Sequence, residues 1–142
     1  MKTVCTQSFQ ETQKLGKELV KNLTPGQIIC LSGELGTGKT TFVQGLLKGL
    51  KVKGPYTSPT FLIMKKYESK VKSPKSKVIY HIDAYRVKEK DILNLGWEEI
   101  ITQPDNLIVV EWAKRIKKII PKNAKWINFS WEGEKKRKIV FN

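Results

Sequence analysis

Residues 33–40 read Gly-Glu-Leu-Gly-Thr-Gly-Lys-Thr, a complete match to the phosphate-loop pattern of Gly, four residues, Gly, Lys and then Ser or Thr. The pattern ties a backbone shape to one class of ligand. Its glycines let successive backbone N–H groups curl around phosphate oxygens, Lys39 supplies charge to the outer phosphates, and Thr40 offers a hydroxyl to Mg2+. Such a loop works between a buried strand and a helix, and the flanks supply both. Gln27-Ile28-Ile29-Cys30-Leu31 is a short apolar run, and from Thr40 onward Phe42, Val43, Leu46, Leu47 and Leu50 recur at helical spacing, aiming a helix N-terminus at the anion. Strand, loop and helix in this order separate the motif from a chance Gly-rich turn.

A chain of 142 residues holds one domain with a real core, and residues 1–142 are expected to form a single phosphate-loop domain. No apolar stretch approaches the roughly 20 residues that span a membrane, and no apolar signal segment opens the chain, so a cytoplasmic protein with no membrane contact is expected. The two cysteines, Cys5 and Cys30, fall in predicted apolar strands and lack a C-x-x-C pairing, which predicts two buried thiols in a reducing compartment. A formal charge of +14 favours an anionic partner, RNA or an acidic protein surface, but lysine-rich solvated faces give the same figure.

Along the chain, residues 3–8 read as an edge strand. Residues 12–23 carry Leu15, Leu19, Val20 and Leu23 along one helical stripe, most simply a core face, before Thr24-Pro25-Gly26 ends it. After the phosphate-loop helix, Gly54-Pro55 breaks the chain and the hydroxyl- and Pro-rich residues 56–60 lead into an apolar strand, Phe61-Leu62-Ile63-Met64. Residues 65–77, with Lys65, Lys66, Lys70, Lys72, Lys75 and Lys77 around Ser73-Pro74, read as a projecting basic tip. Val78-Ile79-Tyr80-His81-Ile82 is a strand, and residues 91–101 are helical in pattern with Asp91 as the expected N-cap. Leu107-Ile108-Val109-Val110 is apolar without interruption, as a strand buried on both faces should be. Trp126 to Phe141 reads as an antiparallel hairpin around a second basic cluster at Lys135, Lys136, Arg137 and Lys138. The fold class is therefore α/β: a phosphate-loop NTPase with a mainly parallel central sheet flanked by helices and a C-terminal antiparallel hairpin.

Open α/β sheets bind ligands outside the carboxyl ends of their strands, where Asp83 and Glu111 end two apolar strands beside the loop. One acid is needed to hold Mg2+ with the loop hydroxyl, and another polar group to orient the attacking water. Glu111 follows the better central strand and is assigned to the metal beside Thr40, with Asp83 orienting water or supporting the metal; the reverse assignment stays open. His81 lies two residues before Asp83 on the same strand face and is read as a structural hydrogen-bonding residue that flanks the site. The four tryptophans are read as core or interface residues, with Trp112 nearest the crevice.

The residues together carry a family resemblance covering nearly the whole chain. In order come Glu11-Thr12, Pro25-Gly26, the loop within residues 31–42, Ser58-Pro59-Thr60-Phe61, Tyr67, His81-Ile82-Asp83-Ala84-Tyr85-Arg86, Leu95-Gly96 and Val110-Glu111-Trp112. The chain resembles the TsaE (YjeE) family of small bacterial ATPases of tRNA threonylcarbamoyladenosine biosynthesis. The resemblance implies ATP and Mg2+ as ligands, TsaD and TsaB as protein partners, and tRNA reached through that complex. It implies that Thr12, Leu35, Gly36, Thr37, Gly38, Lys39, Thr40 and Thr41 contact nucleotide, that Thr40 and Glu111 hold Mg2+, and that Asp83 serves hydrolysis. It further makes Ser58, Pro59 and Thr60 a switch-like segment and puts a basic residue of the hairpin, Lys136 or Arg137, near the nucleotide. After Glu-Trp this chain has Ala113-Lys114 where the family often has Pro or Gly and then an acid.

Two other readings compete. A small metabolite kinase would need a lid with arginines, and arginines stand only at positions 86, 115 and 137. A basic RNA-binding nucleotide switch would use the lysine clusters at 65–77 and 135–138, with steeply salt-dependent binding.

Overall fold

The computed structural model describes residues 1–57, 59, 62–71 and 78–142. A seven-stranded sheet runs through it in the order β1-β7-β6-β2-β5-β4-β3. The strands are β1 (Lys2–Thr6), β2 (Ile28–Ser32), β3 (Met64–Glu68), β4 (Val78–Asp83), β5 (Asn106–Glu111), β6 (Lys125–Trp131) and β7 (Arg137–Phe141). The four central strands β6, β2, β5 and β4 are mutually parallel, while β7 and the two edge strands β1 and β3 are antiparallel to their neighbours. Parallel strands need cover on both faces, and their sequences comply: every residue of β2 and β5 is buried.

Pleating divides those apolar residues between two cores. One face carries Ile29, Leu31, Ile79, Leu107, Val109, Ile127 and Phe129. Two helices cover it, α1 (Phe9–Leu19) and α2 (Lys39–Gly49), through Phe42, Val43, Leu46 and Leu47 with Val20 and Leu23. The opposite face carries Ile28, Cys30, Ile82, Ile108 and Val110 beneath α3 (Glu89–Leu93), α4 (Trp97–Thr102) and a 3-10 segment, Ala113–Ile119. Trp97 is the largest side chain buried there, and its indole N–H donates to the Ile119 carbonyl at 3.1 Å. No helix among the described residues is long and apolar enough to cross a membrane.

The mainly parallel strands, the flanking helices and the closing hairpin agree with the sequence reading; several boundaries do not. The first helix begins at Phe9, three residues before the expected start, because Ser8 caps it: its Oγ accepts the Glu11 N–H at 3.1 Å, while the Glu11 carboxylate reaches back to the Gln7 N–H. The helix expected over 91–101 is two helices, since Gly96 takes φ 88°, where the chain turns. Asp91 is not its N-cap; it sits inside the first turn of α3 and accepts the Lys88 N–H at 2.9 Å. The strand expected at 61–64 starts only at Met64, after a turn with Ile63 at φ 65°, and Phe61 lies outside the described residues. Lys65 and Lys66 belong to the edge strand β3 rather than to a loop, and residues 72–77 of the expected basic tip are also outside the described set.

The expectation of two buried thiols fails at Cys5, which is exposed because β1 is an edge strand. Cys30 is fully buried in β2, and burial pushes its thiol up to about 12. Iodoacetamide at pH 8 is therefore expected to alkylate Cys5 and leave Cys30 untouched in the native protein. Mass spectrometry of the intact chain checks this, and rapid double labelling would contradict the placement of Cys30.

Candidate functional site

The carboxyl ends of β2, β5 and β4 point to one crevice of about 690 Å3, lined from the loop by Leu35, Gly36, Gly38, Lys39, Thr40 and Thr41. Between β2 and α2 the chain turns through Gly33, Gly36 and Gly38 at φ 144°, 79° and 102°. A side chain on Gly33 would overlap the Phe129 carbonyl of β6, so the loop lies flush against the sheet. The turn ends at the first residues of α2, which aims its free N–H groups into the crevice.

Lys39 is buried on the crevice floor. Its Nζ donates to the carbonyls of Gly33 at 2.6 Å and Glu34 at 2.9 Å, and lies 4.2 Å from the centroid of the Trp112 ring. Desolvation pulls its pKa below the ordinary lysine value, opposed by the charges of Glu111, Asp83 and Glu34. Trp112 itself has φ 58°, a conformation that costs a bulky residue on the order of 1–3 kcal/mol. Held that way, the ring packs at 4.8 Å from Tyr85 and against Lys39.

The acids arrive through strand register. β4 and β5 pair with Asp83 opposite Glu111, so both carboxylates leave the sheet at the same level. Glu111 is buried; its Oε1 accepts the Thr40 hydroxyl at 3.0 Å and its Oε2 lies 2.5 Å from His81 Nε2. Asp83 is buried, with Oδ1 accepting the Tyr85 N–H at 2.9 Å. Hard oxygen donors from a hydroxyl and a carboxylate suit Mg2+, which takes part of its coordination from protein and part from phosphate and water.

Of the sequence-derived candidates, Thr12, Leu35, Gly36, Gly38, Lys39, Thr40, Thr41, Asp83 and Glu111 all meet in this crevice. Thr12 enters from α1, buried, with its hydroxyl 2.7 Å from that of Thr6. Thr37 stands behind the loop rather than on the lining; its hydroxyl donates to the Glu34 carbonyl at 2.7 Å and braces the turn. Lys136 is not on the lining, whereas its neighbours Glu134, Lys135 and Arg137 are. The Arg137 guanidinium donates to the Glu134 and Lys136 carbonyls at 3.1 and 3.3 Å, tying the hairpin turn. Pro59 is buried and its carbonyl accepts the N–H groups of Leu62 and Ile63 at 3.0 and 2.6 Å; Ser58 and Thr60 lie outside the described residues.

Sequence reasoning missed the first turn of α1, where Ser8, Phe9 and Gln10 line the crevice opposite the loop. The signal was present as Ser8-x-x-Glu11, a capping pattern that starts the helix at the site. Trp131, half exposed, also approaches the loop: a Cβ on Gly36 would stand 3.6 Å from its ring.

Comparison with known proteins points the same way as the geometry. The family model described as threonylcarbamoyl adenosine biosynthesis protein TsaE matches residues 6–139. A protein of Aquifex aeolicus called tRNA threonylcarbamoyladenosine biosynthesis protein TsaE is 42% identical over 82% of this chain and 80% of its own length. The protein of that name from Nostoc sp. is 39% identical over 75% of this chain, and the match spans 65% of the relative, just under two thirds. The crystal structure of Bacillus subtilis YdiB superposes with a TM-score of 0.80 at 28% identity, covering 99% of this chain and 83% of that one. With a phosphate loop, a mainly parallel sheet and a match over nearly its full length, the chain belongs to the TsaE family of threonylcarbamoyl adenosine biosynthesis proteins.

Proposed function

We propose that the chain is a Mg2+-dependent ATPase that acts with TsaB and TsaD in the threonylcarbamoyl modification of adenosine 37 in tRNAs reading codons that begin with A. The observation that carries this reading is the convergence of Lys39, Thr40, Asp83 and Glu111 on one crevice at the start of α2. In that crevice Lys39 bonds to carbonyls of its own loop, and entering phosphate oxygens are better acceptors for an ammonium than those carbonyls. Thr40 and Glu111 would hold Mg2+, which neutralises charge developing on the transferred phosphoryl group. Asp83, with one oxygen fixed by the Tyr85 N–H, is oriented to position the attacking water. ATP is the proposed nucleotide, and the modification itself is made by the partner complex.

The second basic cluster supports this reading over an RNA-binding switch, because Lys135 and Arg137 line the nucleotide crevice instead of forming a remote patch. In the test, ATP hydrolysis is measured for the wild type and Glu111→Gln, each alone and with the TsaB–TsaD pair, Mg2+ and tRNA. Wild-type turnover is expected to be slow alone and to rise with the pair, and Glu111→Gln to lower the stimulated rate by about 10²-fold or more. Transfer of phosphate to a small acceptor, or a rate indifferent to the pair, would sink the proposal.

A further inference from the structure

The chain contains a single histidine, His81, and it is buried. In the β4–β5 register it stands opposite Val109, and Glu111 leaves the same face one pleat further along. The contact between His81 Nε2 and Glu111 Oε2 is 2.5 Å, and the other carboxylate oxygen accepts the Thr40 hydroxyl at 3.0 Å. Among the described residues, His81 Nδ1 is buried without a hydrogen-bond partner.

These facts fix the direction of the contact. An ionised carboxylate only accepts, so the proton between the groups is carried on Nε2. No acceptor among the described residues stands at Nδ1, so the ring proton is assigned to Nε2, which faces the carboxylate. A glutamate at a strand end has three side-chain torsions, and a fixed N–H on one oxygen removes most of that freedom. The remaining oxygen is then delivered to Thr40.

We infer that His81 is a positioning residue for the nucleotide site: its Nε2–H holds Glu111 so that Oε1 faces the Thr40 hydroxyl, preorganising the carboxylate for a divalent cation. The inference rests on the proposed role of Glu111 as a Mg2+ ligand. It gives the buried histidine a task distinct from packing, since a shape-matched apolar side chain would fill the space and leave the carboxylate unheld. Partners that orient metal-binding groups typically contribute about 10–100-fold to metal affinity.

The test compares wild type, His81→Leu and His81→Gln, whose amide retains a donor. Intrinsic tryptophan fluorescence, with Trp112 beside the crevice among its sources, follows binding of a non-hydrolysable imidodiphosphate analogue of ATP, first in EDTA and then across a Mg2+ titration. The expected result is equal nucleotide affinity in EDTA for all three, a Mg2+ midpoint raised about 10-fold in His81→Leu, and substantial recovery in His81→Gln. Equal midpoints in wild type and His81→Leu overturn the inference. If the wild type shows no Mg2+ dependence at all, the assignment of Glu111 to the metal fails instead, and the two failures are told apart by that control.

A second measurement needs no variant of His81 that must fold. Because the chain has one histidine, 15N labelling of histidine gives one imidazole in long-range nitrogen–proton spectra. The Nε2–H tautomer is expected, with resonances that move in Glu111→Gln. An Nδ1–H tautomer, or resonances indifferent to that substitution, would refute the contact.

Discussion

Replacing Lys39 with alanine is expected to lower the proposed ATP hydrolysis by at least about 10²–10³-fold, the usual loss when a preorganised donor to developing negative charge is removed. The side chain is the cation on the crevice floor, and its burial is tolerated because two carbonyls, the Trp112 face and the nearby carboxylates surround it. In the variant, the Gly33 and Glu34 carbonyls lose their donor and line the crevice with partial negative charge, which opposes a polyphosphate. Affinity for nucleotide should therefore fall together with turnover. Global stability should change little by comparison, since the lost hydrogen bonds contribute about 1–3 kcal/mol each at most and the cost of burying the ammonium disappears with them. Steady-state hydrolysis with the partner pair, alongside thermal melting, checks both halves. Residual activity within tenfold of wild type would remove Lys39 from the chemistry.

Gly45→Ala will destabilise the fold, although alanine favours a helix interior by about 1 kcal/mol over glycine. Gly45 lies inside α2, where a Cβ would overlap the Gln13 carbonyl of α1, and Gly16 meets the Phe42 carbonyl in the same way from the other helix. Backbone is facing backbone across this contact, so no side chain can rotate aside. Overpacking of this kind costs about 1–3 kcal/mol or more, which outweighs the gain in propensity and should lower the melting temperature by several degrees. The effect should extend to the site, because α1 brings Ser8, Phe9, Gln10 and Thr12 to the crevice while α2 starts at Lys39. Circular dichroism melting decides the sign, and a raised melting temperature would show that the helices separate freely.

The loop, the order of strand types and the two carboxylates were legible in the sequence because each follows from local pattern: glycine spacing, apolar runs and acids at strand ends. What local pattern could not supply was register. His81 and Glu111 are far apart in sequence, and only the pairing of β4 with β5 puts the ring against the carboxylate. Cys5 was misread although residues 3–8 were expected at a sheet edge: β1 is the edge strand, and the side chain of Cys5 is left exposed there. The division of α3 from α4 was readable in principle from Gly96, as was the early start of α1 from Ser8 and Glu11. Of the two hairpin residues expected near the site, Arg137 lines the crevice and Lys136 does not, while Lys135 joins the lining from the turn between β6 and β7, whose shape local pattern does not give.

The edge pair β1 and β7 has a mechanical consequence. Lys2 is opposite Phe141 at one end of the pair and Thr6 opposite Arg137 at the other. A load applied between Lys2 and Phe141 would part the ladder rung by rung, as a zipper opens, instead of shearing all its bonds together. The last rung to open would be the one at Arg137, which belongs to the crevice wall. The sheet would thus yield softly at its margin and leave the crevice wall in place until the strand beside it was nearly gone.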